Sequence, residues 1–331
     1  MIAYILARVA AALMTILVLS AVLFVALFAL GDPVDIMAPP EATEVERTQM
    51  RQSLGLDRPL VEQYAGFLRG LASGDLGQSF VYKRPVRDVI FERMPATVEL
   101  ALAAFVLALA VGIPLGMYAG VRPASRLARA VMGASILGIS LPSFWIGILL
   151  ILTFGVWLGW LPTGGRGEGV TVAGIEFSLL TLDGLAHLAL PALNLALFKI
   201  ALVMRLTRAG TREIVLLDYV RFARAKGLAP SRVYGVHVLK NLMIPVVTVL
   251  GLEFGNMIAY TTVTETIFSW PGIGKLLIDS INALDRPVVV AYIMVIVTLF
   301  AILNLIVDLS YLVLDPRLRG GGAAGLTGKP A

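Results

Sequence analysis

Six long apolar stretches separated by polar connections organise this chain: Val9–Leu30, Ala96–Val121, Ala130–Trp157, Leu185–Leu206, Met243–Thr264 and Val288–Leu314. Each reaches the roughly 20 residues a helix needs to cross a hydrocarbon layer. Backbone groups find no partner in lipid, so such stretches are predicted to be α-helices. The fourth and fifth each carry an ionisable residue, Lys199 and Glu253. The first run is longer than the apolar core of about 7–15 residues in a signal peptide. No clean small-x-small cleavage pattern follows it, so it is read as a membrane helix. Pro114, Pro142 and Pro191 fall inside runs and are expected to kink them. Gly112, Gly116 and Gly120 give the small-xxx-small spacing of close helix packing.

The first connection, Gly31–Pro95, is long enough to hold structure. Pro40–Ser53 reads as a short helix closed by Gly55, and Asp57-Arg58-Pro59 as the start of another. After it Leu60, Tyr64, Phe67, Leu68 and Leu71 recur on one helical face. Gly74-Asp-Leu-Gly77 reads as a turn. Two readings of this segment stand open: a packing cap over the outer mouth, or a docking or gating surface.

Basic residues set the direction. Arg122–Arg129 has three Arg and no acid, and Arg205–Lys240 has eight Lys or Arg against two acids. The tail after Leu314 has three basic residues against one acid. On the opposite side, Gly159–Gly184 has one Arg against three acids, Glu265–Arg286 two against three, and Gly31–Pro95 eight against ten. Six spans with both termini cytoplasmic satisfy this alternation.

Composition agrees. Apolar residues make up 58% of the 331, mean hydropathy is +0.86 and charged residues are 15%, against roughly 25% in soluble domains. Such a chain cannot cover a globular surface with polar groups. The net charge of +5 follows from topology and implies no nucleic acid. With no cysteine, disulfides, thiol catalysis and Cys-ligated metals are excluded. His187 and His237 are too few and too far apart in sequence to suggest a metal site.

Within the longest basic loop, Asp218 to Pro245 carries Arg221, Arg224, Lys226, Arg232 and Lys240 against the single carboxylate Asp218. Ala223, Ala225 and Gly227 follow at every second position, so another protein's backbone could come close. Charge alone is what any cytoplasmic loop shows. The ordered pattern Tyr219-x-Arg221-x-Ala223-Arg224-Ala225-Lys226-Gly227, with Asn241-x-x-Ile244-Pro245 beyond it, resembles the coupling loop of ABC-importer permeases of the oligopeptide/dipeptide/nickel branch. Leu54-Gly-Leu-Asp-Arg-Pro-Leu60, Gly74-Asp-Leu-Gly77 and Arg93-x-Pro-Ala-Thr97 are similar to the outer segment of the first (B-type) permease of a pair. Leu141-Pro-Ser-Phe144, Leu161-Pro-Thr163, Phe268-x-Trp-Pro-Gly272 and Asp308-x-x-Tyr311-x-x-Leu-Asp-Pro-Arg317 also look like family landmarks. One departure stands: where the general loop motif has Glu-Ala-Ala, this chain has Arg221-Phe222-Ala223, a feature shared by the peptide branch.

The resemblance implies an all-α polytopic protein with the type I importer permease fold, multi-pass in a bacterial inner membrane. Residues 1–95 would form the first span and outer loop, and 96–317 a five-helix core with coupling loop 207–242. Residues 318–331 would be a disordered tail. The implied function is uptake of short peptides, with nickel, glutathione or another small solute as the alternative. Implied partners are a second permease, one or two ATPases that bind ATP and Mg, a solute-binding protein and the bilayer. No cofactor is expected in this chain. Tyr219, Arg221, Ala223, Arg224, Ala225, Lys226 and Gly227 would contact the ATPase.

A phosphate-binding loop needs G-x-x-x-x-G-K-[ST]. Gly272-Ile-Gly274-Lys275 lacks the first glycine at that spacing and is followed by Leu276, so it is read as a turn after Trp270-Pro271. ATP hydrolysis is therefore expected in another chain. Charges within spans are expensive and mark functional candidates. Lys199 and Glu253 form either an interhelical ion pair or a polar lining for a path; Asn256 shares the face of Glu253. Asp308 is expected to tether the last span to Arg317 or Arg319. An ion-coupled secondary transporter would need a carboxylate or His relay and inverted repeats. A membrane enzyme would need a Ser–His, paired-Asp or HExxH constellation. Neither pattern stands out.

Overall fold

The computed structural model describes residues 2–29, 34, 41–53 and 56–314. The expected tail 318–331, the helix-closing Gly55, and Arg317 and Arg319 lie outside them. Helix α1, Ile2–Ala29, leaves most of its surface exposed and packs along the last helix. Helix α2, Glu44–Ser53, starts on a reciprocal cap. Thr43 N donates to Glu46 Oε2 at 2.8 Å, and Glu46 N donates to Thr43 Oγ1 at 3.4 Å. Those bonds from Thr43 hold the Glu46 carboxyl below its ordinary range. Helix α3, Leu60–Ser73, ends at Gly74, whose φ of +75° is the left-handed conformation that glycine adopts without a Cβ penalty.

Helix α4, Val86–Val121, begins ten residues before the apolar run and passes through Pro95 and Pro114 without a break. Its early turns form because Val86, Val89 and Ile90 are buried against Ile273, Leu276 and Val288. The single span expected over Ala130–Trp157 is two pieces instead. Helix α5, Arg126–Ser140, capped by Ser125, stops at Leu141, and α6, Ser143–Leu150, starts after Pro142 and runs on as a wider π-turn segment, Ile151–Trp157. Proline pushes the residue before it out of helical geometry, and Leu141 is extended at φ −92°, ψ 137°.

A short antiparallel hairpin follows, β1 Val170–Val172 and β2 Ile175–Phe177. It is absent from the all-α expectation. Its turn, Ala173-Gly174, has φ of +52° and +82°, the sense that matches strand twist. Helix α7, Leu182–Ile214, is capped by Thr181, whose Oγ1 accepts from Gly184 N at 2.9 Å. Helix α8, Asp218–Ala225, lies in the basic loop. One turn at Pro230–Arg232 and a π-turn segment, Val233–Val238, lead into α9, Leu239–Ile267. Helices α10, Ile273–Asn282, and α11, Arg286–Leu314, complete the described chain.

Among the described residues four helices are long and apolar enough to cross a membrane: Ile5–Ala26, Val86–Val121, Leu182–Ile214 and Arg286–Ile306. The core is the seam between α4 and α7. A Cβ at Gly112 would meet Val203 Cβ at 2.7 Å, at Gly116 the Met204 carbonyl at 2.6 Å, and at Gly120 Thr211 Cβ at 2.7 Å. The three glycines let two backbones touch, as their spacing implied. The bundle thus has a hairpin end, where α4 and α7 begin, and a loop end carrying α8.

Candidate functional site

At the loop end, α8 is amphipathic on a short scale. Val220 and Ala223 are buried with Val233 and Val238, against Met117 and Ile214. Ala223 therefore faces the protein's own core, unlike its expected place in a partner contact. Tyr219, Arg221, Arg224, Ala225, Lys226 and Gly227 are exposed, and Phe222 is 61% exposed. Cations cover the aromatic rings. Lys226 Nζ sits 4.6 Å from the Phe222 centroid, and Arg224 lies 5.6 Å from Tyr234 and donates to its hydroxyl at 3.3 Å. Arg221 lies 3.9 Å from Asp218, an exposed pair of little energetic weight.

Gly227 closes α8 at φ +74°. Its N–H bonds to Arg224 O at 2.9 Å, and Leu228 N bonds to Ala223 O at 3.3 Å. These two bonds form a Schellman cap. A Cβ at Gly227 would meet nothing within 4 Å, so its requirement is conformational, not steric.

Midway along the bundle, Lys199 Nζ on α7 donates to Glu253 Oε2 on α9. Asn256 Nδ2 donates to Glu253 Oε1 at 3.4 Å, and Lys199 Nζ lies 5.7 Å from the Tyr260 ring centroid. The sequence named Lys199, Glu253 and Asn256, and the fold brings them into one cluster. The Tyr260 ring was not foreseen. It is 66% exposed, so the cluster opens onto a surface this chain does not cover.

At the hairpin end, three carboxylates are buried in hydrogen-bond networks; the sequence marks Glu99 and Glu265 as charges near the ends of spans, but neither their partners nor Asp285. Glu99 Oε2 accepts from Arg166 Nη2 at 2.7 Å and Ser178 Oγ at 2.7 Å, while its Oε1 accepts from Leu179 N at 2.6 Å. Glu265 accepts from Thr97 Oγ1 at 2.7 Å and Lys275 N at 2.9 Å. Asp285 accepts from Ser79 Oγ, from Phe80 N at 3.1 Å and from Val81 N at 3.2 Å. Thr97 also accepts from Ile273 N, and Trp270 Nε1 donates to Ala96 O, both at 2.8 Å. Two sequence landmarks, Arg93–Thr97 and Phe268–Gly272, thus meet in space; their co-occurrence was the available signal. Gly272-Ile-Gly274-Lys275, expected as a turn, is the N-cap and first helical turn of α10; helix N-termini attract anions, and here the Glu265 carboxylate holds that place. Asp308 pairs with Arg8 of α1 at 3.2 Å, a partner not anticipated.

Comparison with known proteins places these features in context. Residues 112–320 match the family described as binding-protein-dependent transport system inner membrane component. Residues 1–101 match that system's membrane component N-terminal family. Among curated proteins, the chain is 41% identical over 302 residues to the di/tripeptide transport system permease protein DppB of Pseudomonas aeruginosa, covering 87% of this chain and 90% of that protein. It is 40% identical over 305 residues to the dipeptide permease DppB of Escherichia coli K12, with the same two coverages. It is 38% identical over 289 residues to the oligopeptide permease AppB of Bacillus subtilis, again with 87% and 90% covered. A chain of the inward-facing MetNI methionine ABC transporter superposes with TM-score 0.53 at 14% identity, covering 69% of this chain and 96% of that one.

Proposed function

The chain belongs to the binding-protein-dependent transport system inner membrane component family, and from that premise we propose that it is the first permease subunit of an ATP-driven importer of short peptides. The observation that carries this reading is 38–41% identity to di-, tri- and oligopeptide permeases across 87% of the chain. We read the loop end as cytoplasmic and the hairpin end as external, with six spans and both termini inside. Span three is then the broken pair α5 and α6. The alternation of basic and acidic connections supports this arrangement. Residues 1–95 supply the first span and outer segment, and 96–317 the core, although α4 runs unbroken across that boundary.

The ATP-hydrolysing machinery sits in partner chains. Helix α8 docks into an ATPase groove through Tyr219, Phe222, Ala225 and Lys226, with Arg221 and Arg224 at the rim. Ala223 and Gly227 shape the helix rather than touch the partner. Apposition of two ATPases moves two such helices, one from each permease of a heterodimer, and rigid α7 and α9 carry the motion into the bundle. An external solute-binding protein delivers peptide to the hairpin end. The Lys199–Glu253–Asn256 cluster is a neutralised pair that fixes α7 on α9.

A tagged chain purified in mild detergent should bring with it a second permease and one or two ATPases, identifiable by mass spectrometry. Reconstituted with them and a binding protein, it should move a radiolabelled dipeptide only with ATP. Phe222→Asp should abolish that uptake while assembly of the spans persists. Uptake driven by an ion gradient from the chain alone would refute the proposal.

A further inference from the structure

Helix α9 carries a polar stripe at the depth of the membrane interior. Glu253, Asn256, Tyr260 and Val263 fall at i, i+3, i+7 and i+10 and so share one helical face. Glu253 is the middle residue of the 29 in α9. Tyr260 stands about 10 Å from it toward the hairpin end, at about 1.5 Å per residue. Both fall inside a hydrocarbon layer about 30 Å thick centred on Glu253. Yet Tyr260 is 66% exposed, and its hydroxyl makes no hydrogen bond with any described residue. An ionisable residue in a span faces the bundle interior or a water-filled space, not lipid. An unpaired hydroxyl is also costly in hydrocarbon.

The backbone of the broken span has the same property at the same depth. Gly147 on α6 faces Asn194 on α7 and Ile267 on α9; a Cβ there would meet them at 3.5 and 3.3 Å. The break at Pro142 lies five residues from Gly147 toward the loop end, and Lys199 five residues from Asn194 in the same direction. Equal steps of about 7.5 Å put the break level with the Lys199–Glu253 pair. There the Leu141 carbonyl and the Ser143 and Phe144 N–H groups make no hydrogen bond among the described residues, and Leu141 and Phe144 are exposed. Unpaired backbone at membrane depth occurs only where protein buries it or where it lines a water-filled cavity. Side chains and backbone give one answer: at mid-depth, part of this chain's outer surface meets something other than lipid.

We propose that the stripe Glu253–Asn256–Tyr260–Val263 lines a water-filled passage, closed on its far side by the second permease, and that the Tyr260 ring receives the α-ammonium of a passing peptide. Aromatic faces attract ammonium groups. Lys199 stands 5.7 Å from the ring centroid, but Glu253 neutralises it, and the exposed side of the ring is free. A short peptide is a zwitterion whose ammonium loses hydration in a narrow passage; the ring replaces part of that hydration, and the phenol hydroxyl is free to bond the peptide amide. The ion pair keeps its structural role behind the ring. The contact with peptide rests on the proposed import; the water-filled face does not.

The chain has no cysteine, so one introduced thiol reports its own surroundings. Tyr260→Cys in the assembled transporter, in liposomes, is treated with a permanently charged methanethiosulfonate, and the label is read from the mass of this chain. Met14→Cys, at the exposed middle of α1, is the dry control. Tyr260→Cys should react about a hundredfold faster, because the thiolate is the reacting species and apolar surroundings suppress it. Should Tyr260→Cys fail to assemble, Val263→Cys carries the same expectation. Equal rates, or a thiol that cross-links to the second permease but stays closed to the charged reagent, would overturn the passage. In ATP-driven dipeptide uptake with saturating binding protein, Tyr260→Leu should be about fivefold slower, the weight of one partly desolvated cation–π contact, and Tyr260→Phe should match the parent. ATP hydrolysis per complex should hold at the parental value in both, since a ring that only held the fold would lower uptake and hydrolysis together. Uptake by Tyr260→Leu equal to the parent, or a matching fall in hydrolysis, would overturn the peptide contact. Fast labelling in a parental complex that moves no peptide would count against the import reading and leave the water-filled stripe standing.

Discussion

At the hairpin end Glu99, Glu265 and Asp285 are inside the protein, each receiving hydrogen bonds from two or more groups distant in sequence. At the loop end Arg221, Arg224 and Lys226 stand outside it, on a helix held from beneath by Val220 and Ala223. The difference shows two uses of charge. A buried carboxylate must be satisfied by the fold, so these fix the relative positions of α4, α9, α10 and the segment that follows the hairpin. An exposed cation is solvated and engages only local neighbours, as Arg224 does Tyr234 and Lys226 does Phe222. One end is therefore built for a defined internal geometry, while the other presents its charge at the surface. The Lys199–Glu253 pair lies between them in position and in exposure, at 13% and 24% for the two side chains.

The contrast breaks first at Arg166. Arg166→Leu leaves Glu99 buried without its cation and should cost about 3–5 kcal/mol. Unfolding in detergent, followed by circular dichroism, should show a clear drop in midpoint. Adding Glu99→Leu should restore part of it, and a single variant as stable as the parent would refute the role given to the pair. Next comes the seam. Gly116→Leu drives a side chain into the Met204 backbone and should cost about 2–3 kcal/mol. Gly133→Leu, where a Cβ meets nothing within 4 Å, should leave the midpoint unchanged. Equal effects of the two would mean that the seam is not close packed.

The middle pair sharpens the comparison. Lys199→Glu or Glu253→Lys alone should lower assembled protein, with a pair worth about 1–2 kcal/mol in a membrane interior. The double swap should recover the yield measured by fluorescence-detected size exclusion; no recovery would favour a path-lining role. The smallest effect belongs to the loop end. Gly227→Ala forces a side chain into a left-handed conformation and should cost about 1 kcal/mol. Gly227→Asn should cost less, because asparagine tolerates that region. Thermal unfolding of the pair against the parent measures both, and equal stability of all three would remove the cap from the account of α8.

The sequence by itself determined what depends on local periodicity and on lipid as solvent. The α1, α4, α7 and α11 spans, the glycine seam on α4, the start of α3 after Pro59 and the basic loop that holds α8 could all be read along the chain. Even the hairpin carried a signal, alternation at Val170, Val172, Ile175 and Phe177 around Ala173-Gly174, although it is too short to stand out beside the long apolar runs. Only the tertiary structure decided where α4 begins, since its first turns are helical because Ile273, Leu276 and Val288 cover them. It alone gave Arg8 to Asp308, Arg166 to Glu99 and Thr97 to Glu265, and turned Ala223 inward. Pairing a charge is a matter of which segments the fold brings within about 3 Å, and those partners lie 67 to 300 residues apart along the chain. Periodicity reports which face of a helix avoids water; it carries no information about which distant residue that face will meet.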